Sequence, residues 1–450
     1  MFIDTFPDEK EKEPLSALPQ LIKVLDPSFK LFKSFQRIFH YSDELKFFHF
    51  GGLIENPKNI SDGKSHKSTS GGYSLDSEEM ALLKFIGESI ERYCLDVYKN
   101  KDLIFSSYKD VKNHAIDIHS IVAVSDKQKQ NPYFKRFIIS DTDVLGWVRG
   151  ISLKTGKSTL IPAQLVYLSY TFPKNEKIIY MPISTGAAGG TSLLAALRRG
   201  ICEIIERDAF LIGYLNKLSP PKIDLKSLKN RDINHWLQLF ERYKLELSVL
   251  DITTELGIPT FLSVVLDHTG IGSAVSAGLK THLNPLEAIL DSIKESQHPR
   301  CWVRRMAEED SGKIKKIRPF DIKTLEERAL YWFPIKRINN ISFLLKRKAE
   351  NLKKYNFSSA TSEKDQLRLV LQKLWDYDMD AYFVDITQSK FRALGYKVVK
   401  VIIPQLSPFY LNEDVRYFGG TRLYNVPVTL GLRNKPLSEE SLNQVPHPFL

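Results

Sequence analysis

Apolar residues set the first outline of the chain. Between residues 75 and 98, Leu83, Ile86, Ile90 and Val97 recur near every third or fourth position, which predicts an amphipathic helix, and Asp76 or Ser77 ahead of Glu79 supplies its start signal. A second helix is predicted over 193–215, a third over 286–306, and a helical stretch from about 322 to 376. Between 104 and 183 the pattern shortens to β-type runs, Phe137-Ile-Ile, Val144-Leu-Gly-Trp-Val148 and Lys177-Ile-Ile-Tyr180, separated by Gly, Pro, Asn and Asp. Further strands are predicted at 247–251, 261–266, 381–386 and 398–403. Residues 1–70 stand apart as a leading segment: acidic and Pro-containing at first, then Phe-rich over 29–50, which reads as buried core with partner docking as the alternative, then a polar run over 59–72 that reads as a loop. The whole predicts an α+β fold of mixed sheets with packed helices, with a main domain over 71–450.

The first two helices share one short pattern. Glu88-Ser-Ile-Glu91-Arg92 and Glu203-Ile-Ile-Glu206-Arg207 are both Glu-x-x-Glu-Arg, and residues three apart share a helix face, so each helix presents two carboxylates side by side. Exposed helices also produce Glu-Arg pairs as ordinary charge patterning, and Glu241-Arg242 and Glu327-Arg328, preceded by Gln238 and Thr324, read as surface. Two acidic pairs meeting in a cleft would repel one another unless a cation lay between them, and a divalent ion suits carboxylate ligands. The segment Ser184-Thr-Gly186-Ala-Ala188-Gly-Gly190-Thr-Ser192, all small residues, runs directly into the second helix. As a loop before a helix N-terminus it suits a phosphate, and it equally suits close packing.

Composition narrows the class. With 43% hydrophobic and 26% charged residues, the chain reads as soluble and globular. No apolar run reaches the roughly 18 residues of a membrane span, and Met-Phe-Ile-Asp-Thr-Phe-Pro-Asp-Glu-Lys is not a secretory start, so no membrane partner and a cytoplasmic location are expected. The net charge of +11 is diffuse, densest at Lys313-Ile-Lys-Lys316 and around Lys346 to Lys354, without aromatic interleaving; a solvated surface is expected and no nucleic-acid partner. Cys94, Cys202 and Cys301 lack metal or redox spacing and read as small buried hydrophobes. His114, His119, His282 and His298 read as lone structural histidines. Walker, nucleophile-elbow and His-Glu-x-x-His patterns are absent, which leaves a carboxylate-rich Mg2+ and phosphate site on two helices.

Taken together, Ser184-x-Gly186-x-Ala188-x-Gly190, Glu203-x-x-Glu206-Arg207-Asp208 and Gly87-Glu88-Ser-Ile-Glu91-Arg92-Tyr93-Cys94 resemble the YcaO family. The likeness extends to Gln297 with Arg300, to Val384-Asp-Ile-Thr387, to Ile-Pro404-Gln-Leu406 and to a Pro446-His-Pro448-Phe-Leu450 terminus, covering about residues 70–450. It implies ATP and Mg2+ as cofactors, with Glu88, Glu91, Glu203 and Glu206 as metal ligands. Ser184, Gly186, Ala188, Gly190, Arg92, Arg207, Gln297 and Arg300 would then stand at the nucleotide. The tail, with Pro446, Pro448 and Leu450 in a catalytic role, resembles the azoline-forming branch, an ATP-dependent cyclodehydratase acting on Cys, Ser or Thr of a ribosomally made precursor peptide. A non-catalytic scaffold subunit or a thioamide-forming enzyme is the alternative. The resemblance also implies a separate leader-peptide-binding subunit, E1-like or related, and is compatible with a homodimer. The chain departs from the family pattern at Lys84, where a small residue is usual, at Ala195, where many members carry Glu, and at Gln444, where the fullest tail has Pro; the first two raise local positive charge and imply an altered metal shell or slower ATP turnover.

Overall fold

A computed structural model describes residues 2–7, 11–55, 60–63, 68–352, 360 and 362–450. Part of the polar run 59–72 and the pair Lys353-Lys354 lie outside the described residues. Among the described residues three sheets form. The first is antiparallel, in the order Phe32–Arg37, Phe48–Ile54, Thr69–Ser74. The second runs Val275–Thr281, Thr260–Asp267, Leu245–Asp251, Lys222–Ile223, Ala349–Glu350, antiparallel except for its last pair. The third runs Ile104–Ser107, Val144–Ser152, Tyr382–Asp385, Lys397–Ile402, Ala187–Gly190, with Ser158–Pro162 also paired to Val144–Ser152. The chain is thus α+β, as its patterning predicts.

The two acidic helices hold the sheets together. The first, Glu78–Asp96, starts where Ser77 Oγ accepts a hydrogen bond from the Met80 amide at 3.1 Å. It lies on the first sheet so closely that a Cβ on Gly72 would stand 2.1 Å from the Phe85 nitrogen and 2.4 Å from the Ala81 carbonyl oxygen. The second, Leu193–Leu215, is buried along nearly its whole length, because it is covered by the third sheet through Lys397–Ile402 and by the second through Val275–Thr281. That explains its apolar sequence: a helix clad on several sides needs no broad polar face. The leading segment joins the same interior. Ile3 is fully buried in a cluster with Leu153 and Leu371, and Leu21, Val24 and Leu31 pack in one with Phe85, Ile86 and Ile90.

Several local expectations are corrected. Residues 138–139 and 177–180 are not strands; Pro132–Phe137 is a 3-10 turn, and the Ile178 amide donates to the isolated Arg136 carbonyl instead of a ladder. The helix expected over 286–306 is two helices, Pro285–Glu295 and His298–Glu309, because Pro299 cannot continue the hydrogen-bond ladder and starts a new helix in its first turn. The stretch 322–376 contains the helices Leu325–Tyr331 and Glu363–Trp375 with the 3-10 segment Ile335–Leu345 between them; Pro334 enforces the break. The small-residue loop contains a strand, Ala187–Gly190, and the polar run contributes residues to Thr69–Ser74. No helix among the described residues is long and apolar enough to cross a membrane.

The contact at Gly72 gives a direct check on this packing. Gly72→Ala should destabilise the protein by about 1–3 kcal/mol, because the methyl meets backbone that cannot rotate away. Gly213→Ala, in the second acidic helix with nothing within 4 Å of the added methyl, should be neutral or stabilising by about 0.5–1 kcal/mol. Urea unfolding followed by circular dichroism would compare the two; equal effects would contradict the close approach.

Candidate functional site

The strand Ala187–Gly190 lies against both acidic helices and orients a carboxylate from each. The Gly189 amide donates to Glu91 Oε1 at 2.8 Å, and the Gly186 amide donates to Glu203 Oε2 at 3.1 Å. Gly186 itself adopts a left-handed conformation, φ 88°, and a Cβ there would stand 2.5 Å from the Val401 carbonyl oxygen, so glycine is required on two grounds. The two Glu-x-x-Glu pairs therefore belong to one site. Glu88 accepts from Arg92 Nε at 2.8 Å and from the Gly71 amide at 3.3 Å. Glu206, buried, accepts from Arg207 at 2.8 Å and from the Thr281 amide at 2.8 Å. Arg207 also stands 3.6 Å from Glu203, so one guanidinium serves both carboxylates of the second helix.

The electrostatics are those of crowded acids. Burial pushes the Glu91 carboxyl up to about 8, with Glu88 and Glu203 adding like-charge repulsion against the opposing effect of Arg199. Burial also raises Glu206. A further carboxylate, Glu295 at the end of its helix, is raised by burial too; it accepts from the Leu279 amide at 2.7 Å and faces Arg207 and Lys280. Lys280 stays charged because Glu206, Asp291 and Glu295 outweigh its desolvation. Lys400, buried on the neighbouring strand opposite Ala187, donates to the carbonyls of Ile183 and Thr185 at 2.6 and 2.5 Å, and burial lowers it to about 7 although Glu203 opposes this. Burial is thus the first cause of the raised Glu91, Glu206 and Glu295 carboxyls. An all-oxygen donor set of this kind fits a hard divalent cation, which would displace the protons that burial favours on Glu91 and Glu206.

The remaining predicted residues fall at different distances from these acids. Ala188 and Gly190 are built into the sheet, opposite Val399 and Lys397, and the half-buried Ser184 begins the turn before it, its carbonyl accepting from the Ala187 amide at 2.8 Å. Gln297 is buried with its Oε1 unpartnered, an acceptor able to receive a ligand donor. Arg300 is instead committed to the second sheet: it donates to Asp267 at 2.6 Å, to the Ser273 carbonyl at 2.9 Å and to Ser276 at 3.2 Å. Lys84 stands 5.3 Å over the Tyr73 ring, and Ala195 is fully buried, so that position presents no charge.

At the C-terminus, Pro446 and Pro448 are buried and Leu450 is half-buried. The Pro446 carbonyl accepts from Tyr214 at 2.9 Å, and the His447 carbonyl from Arg328 and Trp332 at 3.0 and 3.1 Å. These bonds seat Phe449, whose ring centroid is 4.0 Å from the Arg207 guanidinium. Glu295, Lys280, Lys400 and Arg199 stand outside every motif singled out in the sequence, and Phe449 stands in the tail motif without a role of its own. Glu295, two residues before Gln297, carried a usable signal; an isolated lysine on a strand carries none. Cys94 and Cys202 are buried, and burial pushes their thiols up to about 12 and about 11, which disfavours the nucleophilic thiolate.

An uncharacterized protein of Methanothermobacter thermautotrophicus is 26% identical over 273 residues, covering 60% of this chain and 67% of its own. A solved heterocyclase in complex with substrate and cofactor superposes with a TM-score of 0.79 at 22% identity, covering 97% of this chain and 58% of the other, so the chain spans well under two thirds of that enzyme. The YcaO protein of Methanopyrus kandleri, bound with AMPPCP and Mg2+, gives 0.60 at 14% identity, with 90% and 94% covered. At such identities the structures establish a shared fold. The family model for YcaO cyclodehydratases, ATP- and Mg2+-binding, matches residues 72–407, which include all four glutamates of the paired motif, and the chain belongs to the YcaO family.

Proposed function

We propose that this protein is an ATP-dependent cyclodehydratase that converts Cys, Ser or Thr residues of a ribosomally made precursor peptide to azolines. The supporting observation is the joining of both Glu-x-x-Glu pairs through the Gly186 and Gly189 amides. Glu88, Glu91, Glu203 and Glu206 would hold Mg2+, which supplies charge neutralisation at the triphosphate. Arg92 and Arg207 orient these carboxylates, while Gln297 and Ser184 offer polar contacts to the nucleotide. The substrate's own thiol or hydroxyl, losing its proton, adds to the preceding amide carbonyl and closes the ring; the resulting oxyanion takes the ATP γ-phosphoryl group, releasing ADP, and phosphate departs as the ring nitrogen gives up its proton and the C=N bond forms. The protein's task is then positioning rather than covalent catalysis, in keeping with two thiols near the acids held protonated. The tail acts by seating Phe449 on Arg207, with Pro446 and Pro448 fixing its path. A separate leader-binding subunit would deliver the peptide, and the exposed edge strand Phe32–Arg37 offers it a surface on the leading segment.

Three outcomes test this assignment. With a Cys/Ser/Thr-rich precursor and its partner subunit, the protein should hydrolyse ATP and remove one water per ring, read by peptide mass; Glu203→Gln should lower both by on the order of 100-fold or more, and unchanged ring formation would refute the site. Phe449→Ala should reduce kcat by on the order of 10–100-fold with a smaller change in the KM for ATP, because Arg207 loses its position.

The third is a pH dependence. Glu91 is lifted to about 8 when folded and metal-free, so the folded state binds a proton that the unfolded state releases near its ordinary value of 4.5. Metal-free stability should therefore fall as pH rises from about 4.5 to about 8. Mg2+ with ATP competes with that proton, so the ligands should raise the melting temperature more at pH 8.5 than at pH 6.5 by about one further pKa-unit equivalent or more of binding free energy. Differential scanning calorimetry at the two values would show it.

A further inference from the structure

Away from the carboxylate site, the end of the Phe-rich leading stretch meets the helix His298–Glu309. There, among the described residues, His40, Glu44 and Cys301 place one donor atom each within 4.8 Å of one another. We propose that these three side chains form a second metal site, for a borderline-soft transition-metal ion of the Zn2+ class, which ties the leading segment to the helix that follows Gln297.

The donor set separates this site from the first. A thiolate, an imidazole and one carboxylate select zinc-like ions, whereas Mg2+ prefers oxygen alone. His40 is prepared for the role: its Nδ1 is 3.1 Å from the Leu45 carbonyl, which fixes the proton there, and its Nε2 is buried without a hydrogen-bond partner. A ring oriented by a backbone carbonyl, with its other nitrogen bare, is the usual second-sphere arrangement of a metal-binding histidine. Burial lowers His40 to about 4, so the neutral, ligating form is the one present. Cys301 is buried, which pushes its thiol up to about 11 in the metal-free state, so the ion itself must draw off that proton; Glu44 is held by the Tyr41 amide at 3.1 Å and by Arg304 at 3.5 Å.

A further histidine stands close. His49, 4% exposed, has a buried Nδ1 without a partner and a ring centroid 5.8 Å from that of His40. Ligand bonds of about 2.0–2.3 Å require donors about 3.3–3.8 Å apart, so closure demands a movement of about 1 Å, within the reach of side-chain rotation. On binding, the Cys301 thiol proton passes to solvent and the sulfur becomes a thiolate ligand. Gln297 and Arg300 line the same cavity as His40, Glu44 and Cys301, so the ion would brace the helix that carries them.

Cobalt(II) titration of the full-length protein, with Mg2+ in large excess to occupy the carboxylates, provides the test. The expected result is a thiolate-to-cobalt charge-transfer band saturating at one equivalent, displaced by Zn2+. The band should vanish in Cys301→Ser and weaken by at least tenfold in affinity in His40→Ala, a half-buried position, while Cys94→Ser and Cys202→Ser retain it; circular dichroism checks that each variant is folded. Absence of the band in the wild-type protein at micromolar cobalt, or its persistence in Cys301→Ser, would overturn the proposal, and neither result bears on ATP turnover.

Discussion

Carboxylates of like charge, gathered where water is scarce, are the constraint around which this protein is built. Glu88, Glu91, Glu203, Glu206 and Glu295 cannot approach one another in an otherwise uncompensated interior at neutral pH without donors to hold them. Backbone amides do most of this work: Gly71, Gly186, Gly189, Leu279 and Thr281 each donate to one of the five. An amide is a fixed dipole with no net charge, so it orients a carboxylate without neutralising it. Arg92 and Arg207 supply part of the positive charge, and burial, with Glu88 and Glu203 adding repulsion, still raises the Glu91 carboxyl against the opposing effect of Arg199.

The architecture follows from the need to bring those amides to those acids. Glycine is used where backbones must touch: Gly72 against the first acidic helix, Gly186 and Gly200 between the second helix and the strand Lys397–Ile402. Because the second helix is covered by two sheets, its acidic face is held to packing precision. Arg207 then links that face to the C-terminus. Its partners on one side are Glu203 and Glu206, and on the other the rings of Phe449 and Phe409. The terminus is in turn fixed by Tyr214, on the same helix one turn beyond Phe210, and by Arg328 and Trp332. The tail is thereby part of the interior that positions the charges.

Departures from the family pattern acquire a physical meaning in this setting. Lys84 lies over Tyr73, itself stacked on His298 at 4.3 Å, so its charge is engaged by an aromatic face at the edge of the site. Ala195 fills a fully buried place near the start of the second helix. Nearby, Glu11 of the leading segment pairs with Arg199 at 2.7 and 2.9 Å, and Arg199 also donates to the Gly189 carbonyl at 2.7 Å. The leading segment thus reaches the strand that orients Glu91, which ties its folding to that of the site.

Local information was sufficient wherever the cause of structure is local. Helical periodicity with a serine cap placed Glu78–Asp96, an apolar run placed Leu193–Leu215, and spacing of three put each carboxylate pair on one face. The repeat of Glu-x-x-Glu-Arg made the acids legible as candidate ligands of one cation, since two copies of a costly pattern call for a common partner. What the sequence could not determine is how distant segments meet. That Gly186 and Gly189 amides point at Glu203 and Glu91, that Glu295 and Lys280 join from other elements, and that Phe449 rests on Arg207 are consequences of sheet register and helix packing. Those depend on the summed fit of the interior rather than on any neighbouring residue, and only the tertiary structure decides them.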